Sequence, residues 1–132
     1  MFEAEKDKYL MKHGFGATRL KAVLFDMDGV LFDSMPNHAY SWSHAMTQFG
    51  LHITPEEAYM HEGRTGGGTI DLLAQRDWGR RATEEEKQTI YKAKSDVFSR
   101  CPEAPRMPGA YELLKKVKAD GFTPMVVTGS GQ

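Results

Sequence analysis

Two short runs of core-type residues, LKAVLF at 20–25 and FTPMVV at 122–127, constrain this chain more than any other feature. Both read as buried strands of a parallel sheet. Each breaks off into polar residues: Asp26-Met27-Asp28-Gly29 after the first, Thr128-Gly129-Ser130 after the second. A parallel crossover needs about a dozen residues and one helix, yet roughly ninety-five residues separate the runs. The amphipathic pattern Ala110, Leu113, Leu114, Val117, closed by Gly121, already supplies the crossover helix. The block before it is therefore an insertion.

That block is helical throughout. Ala39, Trp42, Ala45, Met46 and Phe49 recur at helical spacing up to Gly50. Thr54-Pro55-Glu56-Glu57 and Thr83-Glu84-Glu85-Glu86 read as capping boxes that open further helices. The first is short and stops at Gly63; the other carries Ile90, Lys94, Val97 and Phe98 along one face. Between them, GRTGGGT reads as a flexible loop and Ile70 to Trp78 as a helix closed by Gly79. The predicted architecture is α/β: a Rossmann-like parallel core at 20–35 and 105–132, incomplete in this chain, with an α-helical cap inserted at 36–104 and a helical extension at 1–19. Asp33–Pro36 and the proline-punctuated CPEAPRMPG form the two stalks of the insertion.

Ligands of open parallel sheets sit at the carboxyl ends of the strands, which is where both polar motifs fall. Two close carboxylates repel each other and pay desolvation; a shared hard cation such as Mg2+ relieves both costs. Asp26 at a strand tip can attack phosphorus, and Asp28 in the following turn can carry a proton to the leaving group. Thr128 and the backbone N–H groups of Gly129 and Ser130 are donors for a transferring phosphoryl group. A Gly-Lys-Ser/Thr sequence does not follow the glycines of GRTGGGT, so they are not an NTPase phosphate loop.

FDMDGVLFDS resembles the first motif of the haloacid dehalogenase superfamily of phosphohydrolases, and VVTGS resembles its second. The placement of the insertion is also similar to that superfamily's helical cap. The resemblance spans about residues 20–132 and implies Asp26 as a nucleophile forming an aspartyl-phosphate, Asp28 as general acid and base, and magnesium held by Asp26 and the Asp28 carbonyl. It further implies a phosphoryl group held by Thr128 and the Gly129 amide. His38, twelve residues after Asp26, resembles a position of the β-phosphoglucomutase-like branch. Where the sugar mutases carry a lysine before a glycine matching Gly63, this chain has Glu62. YMHEGRTG, IYKAKS and RMPGA are similar to inorganic pyrophosphatases of the superfamily, which implies pyrophosphate as substrate. The alternatives are a β-phosphoglucomutase, a hexose-phosphate phosphatase, or a fragment that only binds phosphate or a partner. The superfamily's lysine and acidic motifs are absent up to Gln132, and the chain reads as the N-terminal part of a longer protein.

Other residues carry competing readings. Glu62 is a substrate-facing carboxylate or an exposed helix end, and His38 is a site residue or simply a helix start. Arg64, Tyr91 and Lys94 line the cap face toward substrate, pack the cap, or meet solvent. His13, His44, His52 and His61 lack metal-ligand spacing and read as surface or packing residues. Asp33 and Ser34 set a hinge turn, Trp42, Phe49 and Phe98 are cap core, and Cys101 is inert in its linker. Lys plus Arg number 17 against 18 Asp plus Glu, which gives no electrostatic reason to expect nucleic acid or an anionic membrane. The apolar runs fall far short of a membrane span, and the charged N-terminus lacks a signal-peptide core. A single cysteine excludes an intrachain disulfide and makes a reducing cytoplasm the simplest setting.

Overall fold

The computed structural model describes residues 3–16 and 19–129. Helix α1 (Glu3–His13) precedes strand β1 (Ala22–Phe25); helices α2 (Met35–Thr47), α3 (Pro55–Met60), α4 (Gly66–Asp77) and α5 (Glu84–Phe98) follow, and α6 (Ala110–Ala119) leads into strand β2 (Thr123–Val126). The strands pair in parallel, with Ala22 opposite Thr123 and Phe25 opposite Val126. Pro124 is tolerated because the N–H groups facing the first strand are those of Thr123, which donates to Lys21 O at 2.9 Å, and Val127, which donates to Phe25 O at 2.8 Å; by alternation the Pro124 nitrogen faces the other edge.

Two parallel strands with a single crossover helix cannot be covered on both faces, and one face of this sheet is open. Phe25 and Val117 pack with Leu31 and Ala110 under α6, joined by Val23, Leu114 and Phe122. On the opposite face Leu24, Met125 and Val127 are 63, 50 and 53% exposed. Helix α6 covers its face of the two-stranded sheet only in part, since Val126, opposite Phe25, is 57% exposed.

The inserted helices build a separate core from Ala39, Ala45, Met46, Leu51, Ile53, Ala58, Ile70, Leu73, Ala74, Ala82 and Ile90. Helix α5 starts on a complete capping box: Thr83 Oγ1 accepts from the Glu86 N–H, and the Glu86 carboxylate accepts from the Thr83 N–H. The second expected box is only half formed. Thr54 Oγ1 accepts from the Glu57 N–H at 3.1 Å, but the Glu57 carboxylate takes a hydrogen bond from Arg76 Nη1 at 2.6 Å instead. The loop expected at GRTGGGT is also corrected. Helix α4 begins at Gly66, with Thr65 Oγ1 accepting from the Gly68 N–H at 3.2 Å. Burial of Thr69, Ile70, Leu73 and Ala74 holds the first turn helical despite its glycines.

The stalks are tied to one another. Asp33 N–H donates to Pro105 O at 2.8 Å and Met107 N–H to Leu31 O at 2.9 Å. On the helical side, Asn37 Nδ2 donates to Pro102 O at 2.8 Å. Cys101 Sγ lies 3.7 Å from Ser41 Oγ. Among the described residues no helix is long and apolar enough to cross a membrane.

Candidate active site

A cleft of about 470 Å3 lies between the strand ends and the inserted helices. Asp26, Asp28, Thr128 and Gly129 line it from the strand side; His38, Glu62, Arg64, Tyr91 and Lys94 line it from the helices. Every candidate read from the sequence is brought there except Ser130, which lies outside the described residues.

The turn after β1 fixes the two aspartates. Met27 O accepts from the N–H groups of Leu31 and Phe32 at 2.9 and 3.1 Å, and Gly29 N–H donates to Phe32 O at 2.8 Å. Gly29 has φ +71°, where a side chain is strained. Its openness has a second use: a Cβ there would sit 3.1 Å from Glu62 Oε1 and 3.5 Å from Met35 Cγ. The Glu62 carboxylate therefore reaches across the cleft to the backbone of the aspartate turn. Asp26 is exposed at the strand tip, with its Oδ1 accepting from the Met27 N–H at 2.7 Å.

Asp28 belongs to a chain of polar groups. Its Oδ1 accepts from Ser34 Oγ at 2.5 Å and lies 3.2 Å from His38 Nε2. His38 Nδ1 lies 2.8 Å from Lys94 Nζ. Burial and then the Lys94 charge pull the His38 pKa below the ordinary imidazole value, against Asp28. A neutral ring satisfies all three groups: Nδ1 accepts from the ammonium and Nε2–H donates to the carboxylate. Lys94 is 5% exposed, so of its three readings solvent is excluded. Its Nζ stands over the rings of Phe98, Trp42 and Tyr91 at 4.7, 5.6 and 5.8 Å. Burial lowers its pKa to about 8, partly offset by Asp28 and Cys101. Tyr91 lies so close over the first turn of α4 that a Cβ on Gly66 would come within 2.3 Å of its ring.

Sequence reasoning missed His61, which it read as surface or packing but which lines the cleft beside Glu62. It read Ser34 only as a hinge residue, whereas the hydroxyl binds Asp28; its place in the DxDG…DS run is the signal that could have found it. Trp42, expected in the helical core, packs there and also lines the cleft.

A family model described as haloacid dehalogenase-like hydrolase matches residues 20–132, the span that carries both strand-end motifs and the helical insertion. The chain belongs to this family. Among its relatives, a phosphoglycolate phosphatase of Haemophilus influenzae is 30% identical over 119 residues, covering 84% of this chain and 52% of the relative. A structure from Bacteroides vulgatus, provisionally described as a beta-phosphoglucomutase, is 59% identical with a TM-score of 0.90, covering 99% of this chain and 54% of that one. A beta-phosphoglucomutase from Clostridium difficile shares the fold at a TM-score of 0.69 and 21% identity, over 82% of this chain and 51% of its own. The chain thus spans about half the length of the curated relatives it matches.

Proposed function

We propose that this haloacid dehalogenase-like chain carries the nucleophile, the proton carrier and the substrate-facing cap of a magnesium-dependent phosphohydrolase, and that its substrate is inorganic pyrophosphate. On this reading residues 36–104 are the cap, and 20–35 with 105–132 belong to the catalytic core. The observation that carries the substrate assignment is the Glu62 carboxylate, which stands against Gly29 in the turn that bears both aspartates.

Asp26 attacks phosphorus as its bond to the leaving oxygen breaks, giving an aspartyl-phosphate. Asp28, protonated on entering the step, supplies the proton that the departing phosphate takes, and takes one back from the water that attacks the intermediate, which restores both aspartates. Thr128 and the Gly129 amide hold the transferring group. The Asp26 carboxylate and the Asp28 carbonyl are hard oxygen donors of the kind magnesium takes. Among the described residues no group of three His, Cys, Asp or Glu side chains gathers to hold a metal by itself, so water and phosphate oxygens would share the coordination. Bound there, magnesium neutralises charge on the phosphoryl oxygens. A further carboxylate at the cleft wall repels a bare sugar phosphate but is compatible with a magnesium-rich, doubly phosphorylated anion.

A second reading, a phosphoglucomutase, is favoured by the description given to the Bacteroides vulgatus relative. Replacing Glu62 separates the two. In the full-length protein, Glu62→Lys is expected to lower kcat/KM for magnesium pyrophosphate by about ten- to a hundredfold, the worth of one contact to a charged group. It should leave glucose phosphates unchanged or improved. An equal change on both substrates, or none on either, removes the support for pyrophosphate.

A further inference from the structure

Glu62 sits at the end of the weakest element of the cap. Helix α3 has only six residues, Pro55–Met60, too few to hold itself. Its last turn must nevertheless keep the Glu62 carboxylate against Gly29. Besides the burial of Ala58 in the helical core, its ties come from polar side chains. Glu57 declines the capping-box bond that the sequence offers it and receives Arg76 Nη1 at 2.6 Å. Arg76 is itself braced at the end of α4: Nε donates to Asp77 Oδ1 at 2.7 Å and Nη2 to His52 O, while Asp77 Oδ2 accepts from the His52 N–H at 2.8 Å. The Arg76 bonds hold Asp77 at a pKa of about 2, so this brace stays charged across neutral pH. On its other side the same Glu57 Oε1 lies 3.8 Å from His61 Nε2, a buried atom with no hydrogen-bond partner of its own. His61 is the residue next to Glu62 and lines the same cleft.

We propose that Arg76, Glu57 and His61 form a strut that positions Glu62, running from the end of α4 through one shared carboxylate to the residue beside it. These three are positioning residues: they act through Glu62 and need not touch substrate. The strut accounts for Glu57 being drawn off its cap; its link to His61 is a 3.8 Å approach of Nε2 to the carboxylate and not a hydrogen bond. The inference rests on the reading of Glu62 as a substrate-facing residue, so its test has one readout that is independent of catalysis.

The test uses the full-length protein with Glu57→Gln and with His61→Phe, each alone and combined with Glu62→Gln. The 15N–1H resonance of Gly29, whose environment includes the Glu62 carboxylate, reports position without substrate. The expected result is that each strut variant shifts this resonance in the native background and shifts it no further once Glu62 is Gln, the non-additivity of residues acting in one line. A Gly29 resonance unmoved by either variant, or moved equally in both backgrounds, overturns the strut. The kinetic readout is the ratio of kcat/KM for pyrophosphate to that for a phosphomonoester. It is expected to fall about three- to tenfold in both strut variants, in the same direction as in Glu62→Gln and without adding to it. A fall in thermal stability with an unchanged ratio also overturns the strut, since it marks a role confined to helix stability. If the native protein hydrolyses neither substrate, the pyrophosphate reading fails while the Gly29 resonance still decides the strut.

Discussion

Lys94 shows what a single residue costs and supplies in this cleft. Its ammonium is buried among three rings and is linked to the Asp28 carboxylate through His38. Below the folded value of about 8, the amine is charged in both folded and unfolded chains, and its desolvation counts against folding. Between about 8 and 10.5 the unfolded chain still holds a proton that the folded one has released, so stability rises with pH across that window. Relative to Lys94→Met, the native protein should therefore gain on the order of 2 kcal/mol of unfolding free energy between about pH 7.5 and about pH 10. Denaturant titrations at both pH values measure this, and parallel pH dependence in the two proteins would refute the buried-ammonium description. The sequence left Lys94 open because helical spacing gives a residue's face and not what lies opposite. The partners that decide the matter, His38 and Trp42, come from α2, roughly fifty residues earlier.

Among the elements, those whose local chemistry agrees with their packing were legible. Thr83 and Glu86 announce the start of α5 and form both bonds of the box. Helix α4 was misread because glycine is a poor helix former, and the burial that overrides it lies further along the same helix. Its glycines differ sharply in their surroundings. A Cβ on Gly67 meets only Lys87 Cδ at 3.7 Å, an ordinary contact, whereas one on Gly66 runs into the Tyr91 ring at 2.3 Å. Gly67→Ala should accordingly stabilise the protein by a few tenths to about 1 kcal/mol. Gly66→Ala should destabilise it by about 1–3 kcal/mol, through displacement of the ring. Thermal unfolding of the two variants side by side checks the pair; a Gly66→Ala protein as stable as Gly67→Ala would contradict the packing of Tyr91 on this turn. The half-formed box at Thr54 carries the same lesson from the other direction. The motif is complete in sequence, but Arg76, nineteen residues beyond Glu57, competes for the carboxylate.

At the scale of the whole molecule, the sequence placed the helical insertion and the convergence of both strand ends on one cleft, because topology alone brings parallel strand tips together. It could not show how the inserted helices meet the strand ends, since the approach of Glu62 to the Gly29 turn depends on the orientation of whole elements. The open sheet face has a consequence in solution. With Leu24, Met125 and Val127 exposed, the 132-residue chain by itself should self-associate and bind a hydrophobic dye. Light scattering after size exclusion tests this, and a monodisperse monomer without dye binding would count against it. The catalytic reading is tested most directly by magnesium-dependent phosphate release from pyrophosphate in the full-length protein, native against Asp26→Asn. The carboxamide should keep the fold but neither attack phosphorus nor serve well as a magnesium ligand, so turnover should fall at least about a thousandfold. An Asp26→Asn protein that is folded and retains activity within about tenfold of the native would show that Asp26 is not the nucleophile.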